Sequence, residues 1–315
     1  MSDRLRVGVI GVGYLGKFHA GIYAAMPDVE LVGVADVDAA AAAAVAAKQG
    51  CRVYTRAEDL LGKVDAVSIV VPTVHHLPVA RPFLESGVHM LMEKPLAPDY
   101  EEALALVELA ERSGAIFQVG HLERFNAGVM ALVERVREPR FIEVHRLGGF
   151  VERATDVDVV TDLMIHDIDI VMSLVGSPIR DIAATGLPVL TEHVDIANAR
   201  IEFANGAVAN VTASRVSNKK QRRIRVFGRN GYHALNYIDQ QIEVARAVSS
   251  PGGGRAEIVA EQVAVEPRQP LDAELAEFIR SIRTGQQPLV GGRTGLEALR
   301  VALMVKEKIA SCLRT

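Results

Sequence analysis

The chain contains no tryptophan, has two cysteines, and draws 5% of its residues from the aromatic types. Two thiols, Cys51 and Cys312, cannot frame a disulfide-stapled fold in 315 residues, and neither sits in a metal-binding spacing, so both read as reduced. Positive charge is not in excess: 35 Lys and Arg face 39 Asp and Glu, a formal net charge of -4 at pH 7. That balance offers no global field to nucleic acid or an anionic membrane, and any bound anion must be held by a local device. Also missing is an apolar run of ~18 residues, the length of a membrane span. The N-terminus passes from "MSDRLR" straight into a short apolar strand, without the apolar core of a signal peptide. These absences predict a cytoplasmic protein with no nucleic-acid or membrane partner.

What is present is enough apolar material for large cores, 49% of residues, in a chain longer than one core usually serves. Up to about residue 120, the runs "RVGVI", "ELVGVAD", "DAVSIVV", "HMLME" and "AIFQVG" alternate with Ala-, Leu- and Glu-rich stretches. Continuous apolar strands separated by helices predict a doubly wound parallel sheet. Farther on the period changes: "RFIEVHRL", "VDIANARIEF", "AVANVTASRV" and "RIRVFG" alternate polar with apolar residues. Asn205-Gly206 and Asn230-Gly231 are hairpin-turn pairs, and "SSPGGG" at 249–254 reads as a flexible loop. The expectation is an α/β protein: a Rossmann domain over residues 1–121, then an α+β domain over 122–315 built on a large open antiparallel sheet. Helices at "LMIHDIDIVMSLVG" and "DAELAEFIRSIRTG" are expected on one sheet face, and the C-terminal helix is expected to close the chain, in contact with the first domain. The other face is left for solvent or for a homodimeric or homotetrameric partner.

Gly11-x-Gly13-x-x-Gly16 follows the first apolar run and precedes a helical stretch, so the backbone N–H groups of that helix start face the turn. With Tyr14 and Leu15 between the glycines, this segment is expected to hold a pyrophosphate. Asp36 ends the next strand, about 20 residues on, where an acid accepts the adenosine ribose hydroxyls. A carboxylate there repels a 2′-phosphate, and Val37 and Asp38 offer no cation to offset it, which predicts NAD rather than NADP.

Ligands of such sheets lie at the carboxyl ends of the strands. There "VVPTVHH" carries Pro72, Thr73 and His76, and "MEKP" carries Glu93 and Lys94 before Pro95. Thr73 and His76 either approach the nicotinamide or belong to a turn with two surface histidines; Lys94 is either functional or a solvated loop tip. In "TDLMIHDID", Asp162 stands four residues before His166, one helical turn away on the same face. A carboxylate beside an imidazole raises its basicity and sets its tautomer, as a general base for an alcohol requires. A capped helix start is the plainer alternative. A metal site is not expected, because residues 166, 167 and 169 do not converge on one ion from a helix. The basic run "NKKQRRIR" at 218–225 reads as a solvated hairpin end, with Arg146 and Arg215 the better phosphate contacts.

Taken in order, "GVGYLGKFHA", "VADVD", "EKP", "GHLERFN" and "DLMIHDID" resemble the Gfo/Idh/MocA oxidoreductases over the whole chain. The resemblance implies a Rossmann domain followed by an open-sheet domain and places the family's lysine at Lys94, with its helix Asp and His at Asp162 and His166. It implies that Arg124 and Asn126 position a sugar. "GHLERFNAGV", "HRLGGF" and "ASRVSNKKQRRIRVFG" look most like members that oxidise the 3-hydroxyl of an N-acetylglucosamine nucleotide in lipid A assembly. Those members usually carry proline where this chain has Ala127. A dehydrogenase of a free sugar or inositol is the alternative within the family, and a non-catalytic NAD-binding sensor is the alternative outside enzymes.

Overall fold

A computed structural model describes residues 4–151, 157–229, 231–248 and 257–314. The chain divides into two compact units, Met1–Leu122 with Leu271–Leu299, and Glu123–Pro270 with Arg300–Thr315.

The first unit holds a six-stranded parallel sheet. Its strands are β1 (Leu5–Ile10), β2 (Val29–Ala35), β3 (Arg52–Tyr54), β4 (Ala66–Ile69), β5 (His89–Glu93) and β6 (Phe117–Gly120), in the order β3-β2-β1-β4-β5-β6. Val7, Val9, Ile69, Met90, Leu91 and Met92 are fully buried, as strands covered on both faces require. The helices between them are α1 (Gly16–Ala25), α2 (Ala39–Gln49), α3 (His76–Glu85) and α4 (Tyr100–Ser113). The alanine-rich segment becomes α2 because Asp38 accepts the N–H groups of Ala40 and Ala41 at its start and Gly50, at φ 69°, ends it. β3 escapes the sequence pattern, being three residues long with two of them exposed.

The second unit contributes β7 (Phe141–Leu147), β8 (Ile179–Leu187), β9 (Ile196–Phe203), β10 (Val208–Ser214), β11 (Gln221–Gly228), β12 (Gly231–Asn236), β13 (Gln241–Val248) and β14 (Glu257–Val263). They form one eight-stranded sheet in the order β14-β13-β12-β11-β7-β10-β9-β8. The expected antiparallel sheet is therefore mixed, since β7 and β10 pair parallel. Alternation reports a half-buried strand and is silent on the direction of its neighbour. Asn205-Gly206 does turn β9 into β10, with Gly206 at φ 82° and the Asn205 side chain accepting the Ala207 N–H at 3.0 Å. Asn230 and the 249–254 segment lie outside the described residues.

Helix α5 (Ala127–Arg135) packs on this sheet, where a Cβ at Gly128 would stand 2.4 Å from Leu235 Cδ1. A π-helical turn (Val160–Met164) leads into α6 (Ile165–Val175). Helix α7 (Pro270–Thr284) departs from expectation. It does not cover the second sheet: Leu275, Phe278 and Ile279 join Val7, Val9, Tyr23, Val29 and Leu91 in the core of the first unit. An amphipathic pattern shows that one helix face is buried and not which core receives it. The last helix, α8 (Gly292–Leu313), is grouped with the first unit up to Leu299 and with the second from Arg300. Among the described residues no helix is long and apolar enough to cross a membrane.

Candidate active site

In the glycine turn each glycine answers a different demand. Gly11 sits at φ 85°, and a Cβ there would lie 2.4 Å from the Val70 carbonyl oxygen. A Cβ at Gly16 would lie 1.9 Å from the Gly11 carbonyl oxygen. Gly13 has nothing within 4 Å of its would-be Cβ and is exposed. Protein packing thus dictates the first and third glycines, while the second leaves the backbone open to a ligand. Leu15 occupies the N-cap of α1. Tyr14 is exposed, edge-on to Phe18 at 5.9 Å, with the Lys17 ammonium over its ring.

Asp36 accepts the Val12 N–H with one carboxylate oxygen at 2.7 Å and the Asp38 N–H with the other at 2.9 Å. It borders a cavity of about 620 Å³ whose lining includes Gly11, Gly13, Arg56, Pro72 and His75. Arg56 was not legible from sequence, because the strand that delivers it, β3, carries no apolar run. The cavity, the open side of Gly13 and a pinned acid fit a dinucleotide: backbone amides for the pyrophosphate and a carboxylate for the ribose.

The two adjacent histidines part company. His75 lines the cavity, whereas His76 is buried, with Nδ1 3.1 Å from the Leu96 carbonyl and Nε2 3.0 Å from that of Val71. Burial pushes the His76 pKa down, against the two carbonyls and Glu93, which favour its charged form. The ring ties the segment after β4 to the segment after β5 and is not free to face a nicotinamide. Thr73, half-buried, begins a short 3₁₀ turn (Thr73–His75). Glu93 ends β5 buried, with an oxygen 3.3 Å from His19 Nε2. Lys94 follows it half-buried, and the Lys94–Pro95 peptide is cis.

In the second unit, Asp158 rather than Asp162 caps the helical start, accepting the N–H groups of Val160 and Thr161 at 3.0 Å and pairing with Lys306 at 2.8 Å. Asp162 lies inside the π turn and His166 at the second residue of α6, both half-buried. The regular helix expected here is thus locally widened, a distortion common at functional sites.

Both arginines expected to meet phosphate are engaged elsewhere. Buried Arg146 holds Asp167 through Nε and Nη2 at 2.7 and 2.8 Å and Glu123 through Nη1 at 2.7 Å. Buried Arg215 donates to Asp195 at 2.7 Å, the Val157 carbonyl at 2.8 Å and Thr191 Oγ1 at 2.9 Å. An apolar-neighboured arginine can complete its donor set inside a fold as well as on a ligand, and sequence spacing does not distinguish the two. Asn126 is buried as the N-cap of α5, its oxygen accepting the Gly128 and Val129 N–H groups and its amide donating to the Tyr237 carbonyl. Arg124 stands 3.5 Å from buried Asp169. The 218–225 run is not a solvated end throughout: β11 starts at Gln221, Ile224 is buried, and Arg225 pairs with Glu143. Among the described residues no group of three or more His, Cys, Asp or Glu is placed to hold a metal ion.

Residues 5–121 match the NAD-binding Rossmann-fold model of the Gfo/Idh/MocA oxidoreductases, and residues 129–233 match the C-terminal domain model of the same group. The chain belongs to this family and is an NAD-dependent oxidoreductase. It is 37% identical to UDP-N-acetylglucosamine 3-dehydrogenase of Acidithiobacillus ferrooxidans, over 98% of this chain and 99% of that protein. A solved structure of that enzyme gives a TM-score of 0.94 over 99% of both chains. Inositol 2-dehydrogenase of Rhizobium meliloti is 27% identical over 95% of this chain and 94% of its own length.

Proposed function

We propose that the protein oxidises the 3-hydroxyl of UDP-N-acetylglucosamine to a ketone with NAD, a reaction that precedes amination in sugar assembly of the lipid A type. The observation that carries this reading is the end-to-end likeness, in sequence and fold, to an enzyme of that name. When bound, the nicotinamide supplies the acceptor for the hydride that leaves the sugar carbon.

The protein's own part is positioning and proton handling. Backbone amides around Gly13 and the carboxylate of Asp36 hold the dinucleotide. His166, oriented by Asp162, takes the hydroxyl proton, and Lys94 stabilises the developing alkoxide. Arg124 contacts the sugar, and Asn126 supports that contact by holding the start of α5. Arg146 and Arg215 act as scaffold. The second sheet's exposed strands, with Ile258 at 79% exposure on β14, are the surface through which a homodimer or homotetramer forms, in the cytoplasm.

Following NADH at 340 nm against nucleotide sugars and free polyols tests the assignment. Turnover of UDP-N-acetylglucosamine is expected. Turnover of inositols or free sugars alone overturns the nucleotide-sugar reading, and NAD binding without turnover of any candidate makes the protein a sensor.

A further inference from the structure

Beneath the end of β5 the first unit buries an unusual set of polar side chains. His19 on α1 is fully buried, with Nε2 3.3 Å from an oxygen of Glu93. Glu93 pairs across the sheet with Gly120, where a Cβ would come 3.0 Å from the other Glu93 oxygen, so the glycine leaves that carboxyl its room. Glu274, brought in by α7, is also fully buried, and neither of its carboxyl oxygens has a hydrogen-bond partner among the described residues. Its backbone carbonyl accepts the Gln118 side chain at 3.0 Å. Tyr23, one turn along α1 from His19, bonds to Ser68 at 2.8 Å.

An ionised carboxylate stripped of water and of hydrogen bonds is strongly disfavoured, and two carboxyls that feel each other's charge do not both ionise. Burial, reinforced by the charge of Glu93, pushes the Glu274 pKa well up. Of the two, Glu93 has a ring nitrogen of His19 3.3 Å from one carboxyl oxygen and is followed directly by Lys94. Tyr23, whose pKa burial also raises, stays a neutral phenol and adds no charge.

We propose that Glu274 is a positioning residue: it is kept as a neutral carboxylic acid so that the one negative charge of the pair stays on Glu93 against His19, fixing the chain at Lys94. The consequence for turnover rests on the role given to Lys94 above; the protonation state of Glu274 does not.

Infrared difference spectroscopy at pH 7 on the whole protein reads that state directly. A protonated-carboxyl C=O band is expected in the wild type and is lost in Glu274→Gln, which keeps the shape and neutrality of the acid and retains kcat within about twofold. Glu93→Gln, which removes the charge, is expected to lower kcat tenfold or more while the Kd for NAD changes less than threefold. Absence of the band in the wild type, or its survival in Glu274→Gln, overturns the proposal without reference to activity, even if Glu93→Gln fails to fold. Full kcat in folded Glu93→Gln overturns the positioning step. Full kcat in Lys94→Met instead removes the role of Lys94, with the band unaffected.

Discussion

Asp36 and Val12 are joined by a 2.7 Å hydrogen bond from the Val12 N–H to the Asp36 carboxylate. The acid just past β2 is therefore fastened to the glycine turn that follows β1, so the two line the cavity as one piece. Replacing Asp36 with alanine should raise the KM for NAD about tenfold or more, the worth of a lost hydrogen bond to a charged group. The preference for NAD over NADP should shrink with it. Steady-state kinetics with both cofactors checks this, and an unchanged ratio would contradict the role.

Gly13 and Gly16 should respond oppositely to alanine. Open space at Gly13 predicts a melting temperature near wild type with weakened NAD binding, because the new methyl occupies the ligand's side. At Gly16 the new Cβ meets the Gly11 carbonyl oxygen at 1.9 Å, so the fold itself should lose about 1–3 kcal/mol. Thermal melts and calorimetric titration with NAD separate the two.

His166→Ala and Lys94→Ala should each reduce kcat about a hundredfold or more, as expected for loss of a proton acceptor or an alkoxide partner. The Kd for NAD should move little. Wild-type turnover in either variant would remove that residue from the mechanism.

Arg146→Met should destabilise the second unit by about 3–5 kcal/mol, because Asp167 and Glu123 are left buried without their cation. The shift in denaturant midpoint measures it. A change below 1 kcal/mol would mean that the network relaxes to water.

Asp195 gives stability a definite pH dependence. Burial alone would raise its pKa, but the N–H groups of Thr191, Val189 and Leu190 together with Arg215 outweigh burial and hold it well below the usual carboxylate range. A depressed folded-state pKa contributes stability that is complete above the unfolded value, about 3.9, and is lost as pH falls through the folded value. Asp195→Asn should therefore be less stable than wild type at pH 7, by about 1–3 kcal/mol. The gap should close in acid, below pH ~4, as chemical denaturation across pH would record.

Local sequence determined a good deal: that the first strands are buried on both faces, that a glycine turn precedes a helix, that an acid follows β2, and that later strands alternate. These are properties of a few neighbouring residues, carried by period and by backbone sterics. The home of α7, the parallel pairing of β7 with β10, the widened helical turn at Asp162 and the choice of His75 over His76 for the cavity were decided by tertiary structure. So were the partners of Arg146 and Arg215, each met by a carboxylate about twenty residues away in sequence or more. Periodicity states which face of an element leaves water, and a side chain's chemistry states what it can bond. Which core and which partner it finds depends on where distant segments arrive, and only the folded chain settles that.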